Sequence, residues 1–332
     1  MLDYSNILKP KRLFDMYKLK PWKYFQTFFS VDHAQAYLNE KYKNIPEGEK
    51  LAFQNSYTLI YYLDHGKKYY EQSKLAPYEL QPVLLFYGMI QLMKAAILTI
   101  DPNYPETTQV LAHGVSTRKR KKIQYEFLFD EVKIQKNGLI THFSEKMFNM
   151  KQLEGEKYNM GELMKRIPEL HAHFYYLNNI KVSYPISNEN NSTYSISSAI
   201  LDQLNLSYDG FINLLNEQSS LTIENGYEEQ KKIIFNVTKK PNKLICSPLQ
   251  YNLGDHQFWL PTNRSLYSFF PEILVHYLIL YNLSMVCRYE TDWWGELFHQ
   301  YPSNDLPFIT EFLEITRYKV PFYLSLIFQE DK

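Results

Sequence analysis

Hydrophobic positions in residues 1–100 recur at helical spacing. Residues 51–72 carry an apolar stripe of this period, and residues 80–99 are apolar almost throughout, as in a buried helix. Asp32 is a suitable N-cap for a further helix that continues to Tyr42. Pro102 and Pro105 end this block, because proline lacks a backbone donor and disfavours helical geometry in the residue before it.

Two later stretches have the pattern of strands. Residues 125–134 and 139–143 are strand-like runs on either side of Asn137-Gly138, a pair that favours a two-residue hairpin turn. The sequence therefore predicts a β-hairpin near residues 123–145. Residues 220–262 contain further short segments of this kind and are also predicted to form strands.

The remaining stretches are assigned from the same periodicity. Residues 161–177 are predicted to be helical, with a break or a new helix start near Pro168. Residues 182–193 are rich in Ser and Asn and are predicted to form a loop or a domain boundary. Residues 271–328 return to a helical pattern, which is interrupted at Pro302, Pro307 and Pro321.

The order of helices and strands has no regular βαβ alternation. It predicts an α+β fold with a mainly helical core from the N- and C-terminal segments and two β insertions, near residues 123–145 and 220–262. A chain of 332 residues forms one large domain or two intimate ones. We expect four parts: helices at 1–105, a loop, hairpin and helix at 106–180, the second β segment at 181–265, and helices at 266–332 that pack on the N-terminal ones.

The composition is that of a soluble globular protein. Hydrophobic residues make up 45% and charged residues 22%, which excludes disorder, collagen and coiled coil. The 36 Lys and Arg residues balance the 36 Asp and Glu residues, so contact with nucleic acid needs a local basic patch. The N-terminus lacks the apolar core of a signal peptide, and polar residues interrupt both apolar helices, so no membrane association is expected.

Cysteine usage and absent motifs narrow the classes further. Cys246 and Cys287 lie far apart without a CxxC, which argues against disulfide and cysteine–zinc frameworks and fits a cytoplasmic location. No GxG, HExxH, GxSxG or EF-hand spacing occurs. The Rossmann, P-loop, zincin, α/β-hydrolase and calcium-loop classes are therefore not indicated, and we expect no cofactor and no metal.

One segment between the first helical block and the predicted hairpin is unusually basic. Its candidate ligand-binding residues are His113, Ser116, Thr117, Arg118, Lys119, Arg120, Lys121 and Lys122. Guanidinium, ammonium and hydroxyl groups all donate hydrogen bonds to phosphate oxygens. In a neutral chain this run predicts contact with a nucleotide or RNA, and a solvated surface loop is the alternative.

A second candidate pair is Arg166 and His171, an arginine followed after four residues by a histidine. Arg166 could bind a scissile phosphate and His171 could act as general acid or base, although Pro168 between them distorts a helix that does not begin there. His171 and His173 also form an H-x-H pair, whose rings diverge on a helix, so a metal site is not favoured.

Two apolar helices share a weak similarity in the spacing of a tyrosine and a cation. Lys94 follows Tyr87 by seven residues, and Arg288 follows Tyr281 by the same interval. Related core helices would explain the similarity, and so would the composition that helix cores share.

Four segments together resemble the YaaC-like proteins of Bacillus and relatives. They are LLFYGMIQLMKAA from Leu84, HGVSTRK from His113, RIPEL from Arg166 and HYLILYNLSMVCRYE from His276, and HGVSTRK is the most specific. This resemblance implies a cytoplasmic bacterial protein more firmly than it implies an activity. The helical part is also similar to the HEPN superfamily, which includes metal-independent ribonucleases with an Arg-x4–6-His motif. Arg166 and His171 match that spacing, whereas Ile167 replaces the polar residue that usually follows the arginine.

We therefore expect a cytoplasmic binding or regulatory protein that contacts a nucleotide or RNA through the segment from His113 to Lys122. One alternative is a HEPN-type metal-independent endoribonuclease in which Arg166 and His171 are catalytic. The other is an interaction scaffold without ligand that exposes Trp293-Trp294, a pair for which core packing is the favoured interpretation. A protein partner and homo-oligomerisation stay open.

Overall fold

The computed structural model describes residues 20–117, 125–190, 192–219 and 221–329. Over these residues the protein is mainly helical with two small antiparallel sheets, which confirms the predicted α+β fold. The chain divides into two compact units. Unit 1 extends to Asn159 and resumes at His276, and unit 2 is Met160–Val275.

Most of the helices belong to unit 1. They are α1 (Lys20–Thr27), α2 (Val31–Tyr42), α3 (Gly48–Leu75), α4 (Gln81–Leu98), α5 (Leu139–Phe148), α10 (Glu272–Tyr289, whose first residues lie in unit 2), α11 (Thr291–Gln300) and α12 (Asp305–Gln329). Helix α4 packs against α3 and α12, and α12 also packs against α1. The helices near the two ends of the chain therefore share one core, which is lined with apolar side chains.

Helix α4 lies at the centre of this core. Its residues are apolar on nearly all sides, and a helix of this kind must be buried. Among the described residues it is the one helix long and apolar enough to span a membrane, and most of it is buried inside the protein. The prediction of a buried core helix at residues 80–99 is confirmed.

Unit 1 also holds a three-stranded antiparallel sheet in the order β1 (Val115–Thr117), β2 (Glu131–Ile134), β3 (Lys157–Asn159). Val115 pairs with Ile134, and Glu131 pairs with Asn159. The predicted hairpin near residues 123–145 is wrong in its second half, because Leu139–Phe148 forms helix α5 rather than a strand.

A close approach of two glycines explains this difference. Gly138 has a φ of 145° and lies so close to Gly114 that a Cβ atom on Gly138 would collide with the Gly114 backbone. The Leu139 amide donates a hydrogen bond to the Ala112 carbonyl at 2.7 Å, and helix α5 then begins. The Asn137-Gly138 pair is thus used for a long-range backbone contact instead of a hairpin turn.

Unit 2 combines helices α6 (Met160–Met164), α7 (His171–Asn178), α8 (Ala199–Leu204) and α9 (Tyr208–Gln218) with a six-stranded antiparallel sheet. The strand order is β6 (Ile223–Glu229), β7 (Lys232–Val237), β5 (Thr193–Ser197), β4 (Ser183–Asn188), β9 (Phe258–Pro261), β8 (Gln250–Tyr251). The predicted strands in residues 220–262 are confirmed, and so is the predicted break near Pro168, where a short 3-10 turn separates α6 from α7.

The predicted loop at residues 182–193 is wrong, because most of it forms β4 and the start of β5. Tyr184 and Ile186 lie two positions apart on β4 and are buried, as expected for residues on one face of a strand. The buried serines on these strands hide the strand pattern in the sequence, because they are polar residues at buried positions. Their hydroxyls have partners inside the unit, since Ser195 donates to Glu189 at 2.5 Å and Ser183 bonds the ring of His171 at 2.5 Å.

Candidate functional site

Three basic side chains from distant parts of the sequence gather in unit 1. Lys94 lies on α4, Arg288 lies near the end of α10, and His113 lies in the segment that leads into β1. The pKa of His113 is lowered, first by burial and then by the positive charges of Arg288 and Lys94. We call Lys94, His113 and Arg288 the basic cluster.

Helix geometry and the distances between aromatic rings define the position of the cluster. Seven residues make two helical turns, so Lys94 lies on the same face of α4 as Tyr87, and Arg288 on the same face of α10 as Tyr281. The ring centre of His113 lies 6.3 Å from that of Tyr87 and 5.8 Å from that of Tyr281. The two equally spaced pairs, Tyr87 with Lys94 and Tyr281 with Arg288, thus lie on two sides of one site.

Neither cation has an acidic partner in the part of the chain that the structure describes. Lys94 is half-buried, burial lowers its pKa, and its Nζ lies 5.9 Å from the centre of the Tyr62 ring. Arg288 donates from Nε to the Ser284 carbonyl at 2.8 Å. None of the ion pairs formed between described residues includes either side chain.

Tyrosines surround the basic cluster. The Tyr104 side chain is buried, and its hydroxyl has no hydrogen-bond partner among the described residues. This hydroxyl is an electrostatic neighbour of Tyr62 and of Tyr277, and the Tyr277 hydroxyl bonds the backbone of His113. A buried hydroxyl without a hydrogen-bond partner costs free energy.

An aromatic pair extends the tyrosine wall. The rings of Tyr69 and Tyr87 are stacked, with their centres 6.0 Å apart and their planes at 25°. The site therefore combines cations, hydroxyl donors and flat aromatic surfaces. These groups can bind an anion that carries a ring.

The other residues of the predicted basic segment lie on β1 or outside the described residues. Ser116 and Thr117 are half-exposed on β1, and Ser116 accepts a hydrogen bond from Gln135 Nε2 at 2.6 Å. Arg118, Lys119, Arg120, Lys121 and Lys122 lie outside the described residues. Of the predicted basic segment, the structure thus places His113 in the cluster and Ser116 and Thr117 on β1.

The sequence did not assign Lys94, Arg288, Tyr62 and Tyr104 to this site. In the sequence, Lys94 and Arg288 stand out as cations inside apolar helices and by their equal spacing from Tyr87 and Tyr281. For Tyr104 no sequence signal exists, because its burial and its missing partner depend on the packing of α3, α4 and α10.

Arg166 and His171 lie in unit 2, where both form hydrogen bonds to other residues of the unit. Arg166 donates to the Leu266 carbonyl at 3.2 Å and to the Ser268 hydroxyl at 2.8 Å. His171 is only 6% exposed, and its two ring nitrogens bond Ser183 and the Lys165 carbonyl. These contacts hold the loops of unit 2 together, and the catalytic role of the pair stays a prediction.

Two further sequence candidates are placed as follows. Trp294 is buried and donates from its ring to the Glu79 carbonyl at 3.1 Å, and half-buried Trp293 donates to the Tyr125 carbonyl at 3.0 Å. The favoured interpretation, core packing, is confirmed for Trp294. The alternative prediction that both tryptophans are exposed is wrong, because Trp294 is buried. In the described ranges no group of three or more His, Cys, Asp or Glu side chains is arranged to hold a metal ion.

Comparison with known proteins gives one match. A family model described as YaaC-like Protein matches residues 26–327, which is most of the chain. This match gives no support to the similarity between the helical part and the HEPN superfamily. No curated protein and no solved structure matches the chain.

Proposed function

The chain belongs to the YaaC-like family, and from that premise we propose that it is a non-catalytic binding or regulatory protein for a phosphate-bearing ligand, a nucleotide or RNA. Lys94, His113 and Arg288 hold a phosphate group. The observation that carries the proposal is the gathering of these three basic side chains without an acidic partner among the described residues.

The electrostatics of the cluster favour an anion. Positive charges held close together repel one another, and burial raises the cost of each charge. A phosphate group relieves both penalties, because it pairs with the cations and accepts their hydrogen bonds. His113 then gains a proton, since a nearby negative charge favours its charged form.

The tyrosines favour a ligand with a base over inorganic phosphate. Aromatic side chains stack on nucleobases, with about 1–3 kcal/mol per base. Tyr87 is half-exposed beside His113, and its ring is already stacked on one face by Tyr69.

The cations Arg118 to Lys122 extend the site for a longer ligand. They follow directly on β1, whose first residue is two positions after His113. An RNA strand would use them for additional phosphates, and its affinity would fall steeply with salt because counterions are released. A mononucleotide would use the cluster alone and show a shallower dependence on salt.

The test is isothermal titration calorimetry of the full chain with nucleoside mono-, di- and triphosphates and with a short single-stranded RNA. We expect Lys94→Met and Arg288→Met each to weaken binding by about 10-fold or more, since each removes a charge-assisted hydrogen bond. Lys23→Met, which removes an exposed cation on α1, is the matched control and should change nothing.

A triple Arg118→Ala, Lys119→Ala, Arg120→Ala variant separates the two parts of the site. Loss of RNA affinity with retained nucleotide affinity assigns RNA to the basic run and the nucleotide to the cluster. If no ligand binds, or if the cluster variants bind as tightly as the unaltered chain, the proposal is overturned.

A further inference from the structure

Helix α3 presents a row of exposed aromatic side chains. Phe53, Tyr57 and Tyr61 are spaced four residues apart and are 60%, 50% and 64% exposed. The opposite face of the same helix is buried in unit 1 through residues such as Leu59 and Leu63. Three large rings in one row form an apolar patch of the kind that marks an interaction surface.

Charged pairs stand at both ends of this row. Lys50 lies 2.6 Å from Glu47, and Lys68 lies 2.5 Å from Asp64. Lys50 precedes Tyr57 by seven residues, and Asp64 follows it by seven. A cation, Lys50, and an anion, Asp64, therefore lie at equal distances from Tyr57 on its two sides.

We infer that α3 of one copy packs antiparallel against α3 of a second copy, around a two-fold axis at Tyr57. This arrangement places Tyr57 against the partner copy's own tyrosine, with Phe53 and Tyr61 of both copies around it. A two-fold axis requires a self-complementary surface, and the row about Tyr57 meets that condition. The aromatic rings supply the apolar centre that such interfaces need.

The charges select this register. Seven residues correspond to about 10.5 Å along a helix, so Lys50 of each copy faces Asp64 of the other. Lys50 then lies between Glu47 of its own copy and Asp64 of the other copy. Alternating charges of this kind set orientation and partner choice more than affinity.

Other arrangements lack this match. In a parallel pair Lys50 would face Lys50, which is repulsive. An antiparallel pair centred on Tyr61 would place Lys50 opposite Gln72 and Asp64 opposite Thr58, without any charge pairing. The antiparallel register about Tyr57 is the arrangement that satisfies both the aromatic and the charged residues.

The first test is sedimentation velocity of the full chain over about a 100-fold range of concentration. We expect a reversible dimer, and Tyr57→Lys should shift the protein to monomer because it puts two ammonium groups on the axis. Lys50→Asp should weaken association by about 10-fold, and Lys50→Asp with Asp64→Lys should recover most of it. Circular dichroism checks that each variant keeps its helices.

The second test is a cross-link. Tyr57→Cys lies on the axis and should form an intermolecular disulfide under mild oxidation. Gln72→Cys is the matched control on the same helix, since the two copies of residue 72 would be about 45 Å apart. The unaltered chain controls for the native thiols of Cys246 and Cys287.

Each outcome decides the inference. A dimer that Tyr57→Lys abolishes and Tyr57→Cys traps supports it. A monomer at every concentration overturns it, and so does a dimer that Tyr57→Lys leaves intact or that cross-links equally well through residue 72.

Discussion

Tyr277 donates a hydrogen bond from its hydroxyl to the carbonyl oxygen of His113, with 2.9 Å between the oxygen atoms. The Tyr277 side chain is fully buried in the core of unit 1. The bond therefore ties helix α10 to the segment that leads into β1 and fixes the backbone from which the His113 ring projects.

We expect Tyr277→Phe to destabilise the protein by about 1–3 kcal/mol, because the His113 carbonyl loses its donor while the ring still fills the core. Urea unfolding measures this change. Ligand affinity should fall as well, since His113 is no longer fixed. A variant with unchanged unfolding midpoint and slope would contradict the structural role of this bond.

The pKa of His113 reports directly on the basic cluster. Burial is the largest cause that lowers this pKa, and the charges of Arg288 and Lys94 lower it further because they disfavour a third positive charge nearby. Removing Arg288 as Arg288→Met should therefore raise the pKa of His113, and Lys23→Met should leave it unchanged. An NMR titration of the histidine ring protons measures both, and equal values in all three proteins would disprove the clustering.

Because the pKa of His113 is lowered, the stability of the folded protein depends on pH. The folded pKa of His113 lies below the ordinary value of 6.5, so the unfolded chain takes up this proton first as the pH falls. His113 therefore reduces stability below about pH 6.5. A bound phosphate group raises the pKa of His113, so ligand binding should tighten as the pH falls through that range. Calorimetric titrations at two pH values check the sign.

Asp101 contributes stability that depends on pH in a different range. A hydrogen bond from His142 at 3.1 Å and the ammonium of Lys146 at 3.0 Å lower its pKa below the ordinary 3.8. The contribution is complete above about pH 4 and is lost as the pH falls through the folded pKa. The stability difference between the unaltered chain and Asp101→Asn should therefore shrink between pH 6 and pH 3, as urea midpoints would show. A stability difference that stays constant between pH 6 and pH 3 would contradict this contribution of Asp101.

Asp305 holds the turn before β2 from the start of helix α12. Its buried carboxylate accepts hydrogen bonds from the backbone amides of Phe127 at 2.8 Å and Leu128 at 3.2 Å. We expect Asp305→Ala to cost about 2–4 kcal/mol, because two buried amides lose a charged acceptor, and Asp305→Asn to cost less. Thermal unfolding followed by circular dichroism ranks the two variants, and equal losses would show that the acceptor is unimportant.

His171 offers a test of the nuclease alternative. Its ring joins the Lys165 carbonyl to Ser183, so His171→Ala should lower the stability of unit 2 by about 2 kcal/mol. A labelled RNA incubated with the unaltered chain measures cleavage separately. Cleavage that disappears in a folded His171→Ala variant would support the HEPN-type mechanism, whereas retained cleavage would exclude His171 from it.

The sequence determined the features that depend on neighbouring residues. The apolar run of α4 indicated a buried helix because no face of it could tolerate water, and Pro168 indicated a break because it removes a backbone donor. The strands of residues 220–262 followed from turn residues and alternation. Membership of the YaaC-like family was also visible in short motifs, including the segment from His113.

Only the tertiary structure decided the features that depend on distant residues. Asn137-Gly138 has the composition of a hairpin turn, but the close approach of Gly114 directs the chain into helix α5. Lys94 and Arg288 are ordinary cations in their own helices, and their packing beside His113 makes them a site. Local composition fixes helices, breaks and strands, whereas the partners of a side chain are fixed by which elements pack together, and that is not contained in any single segment.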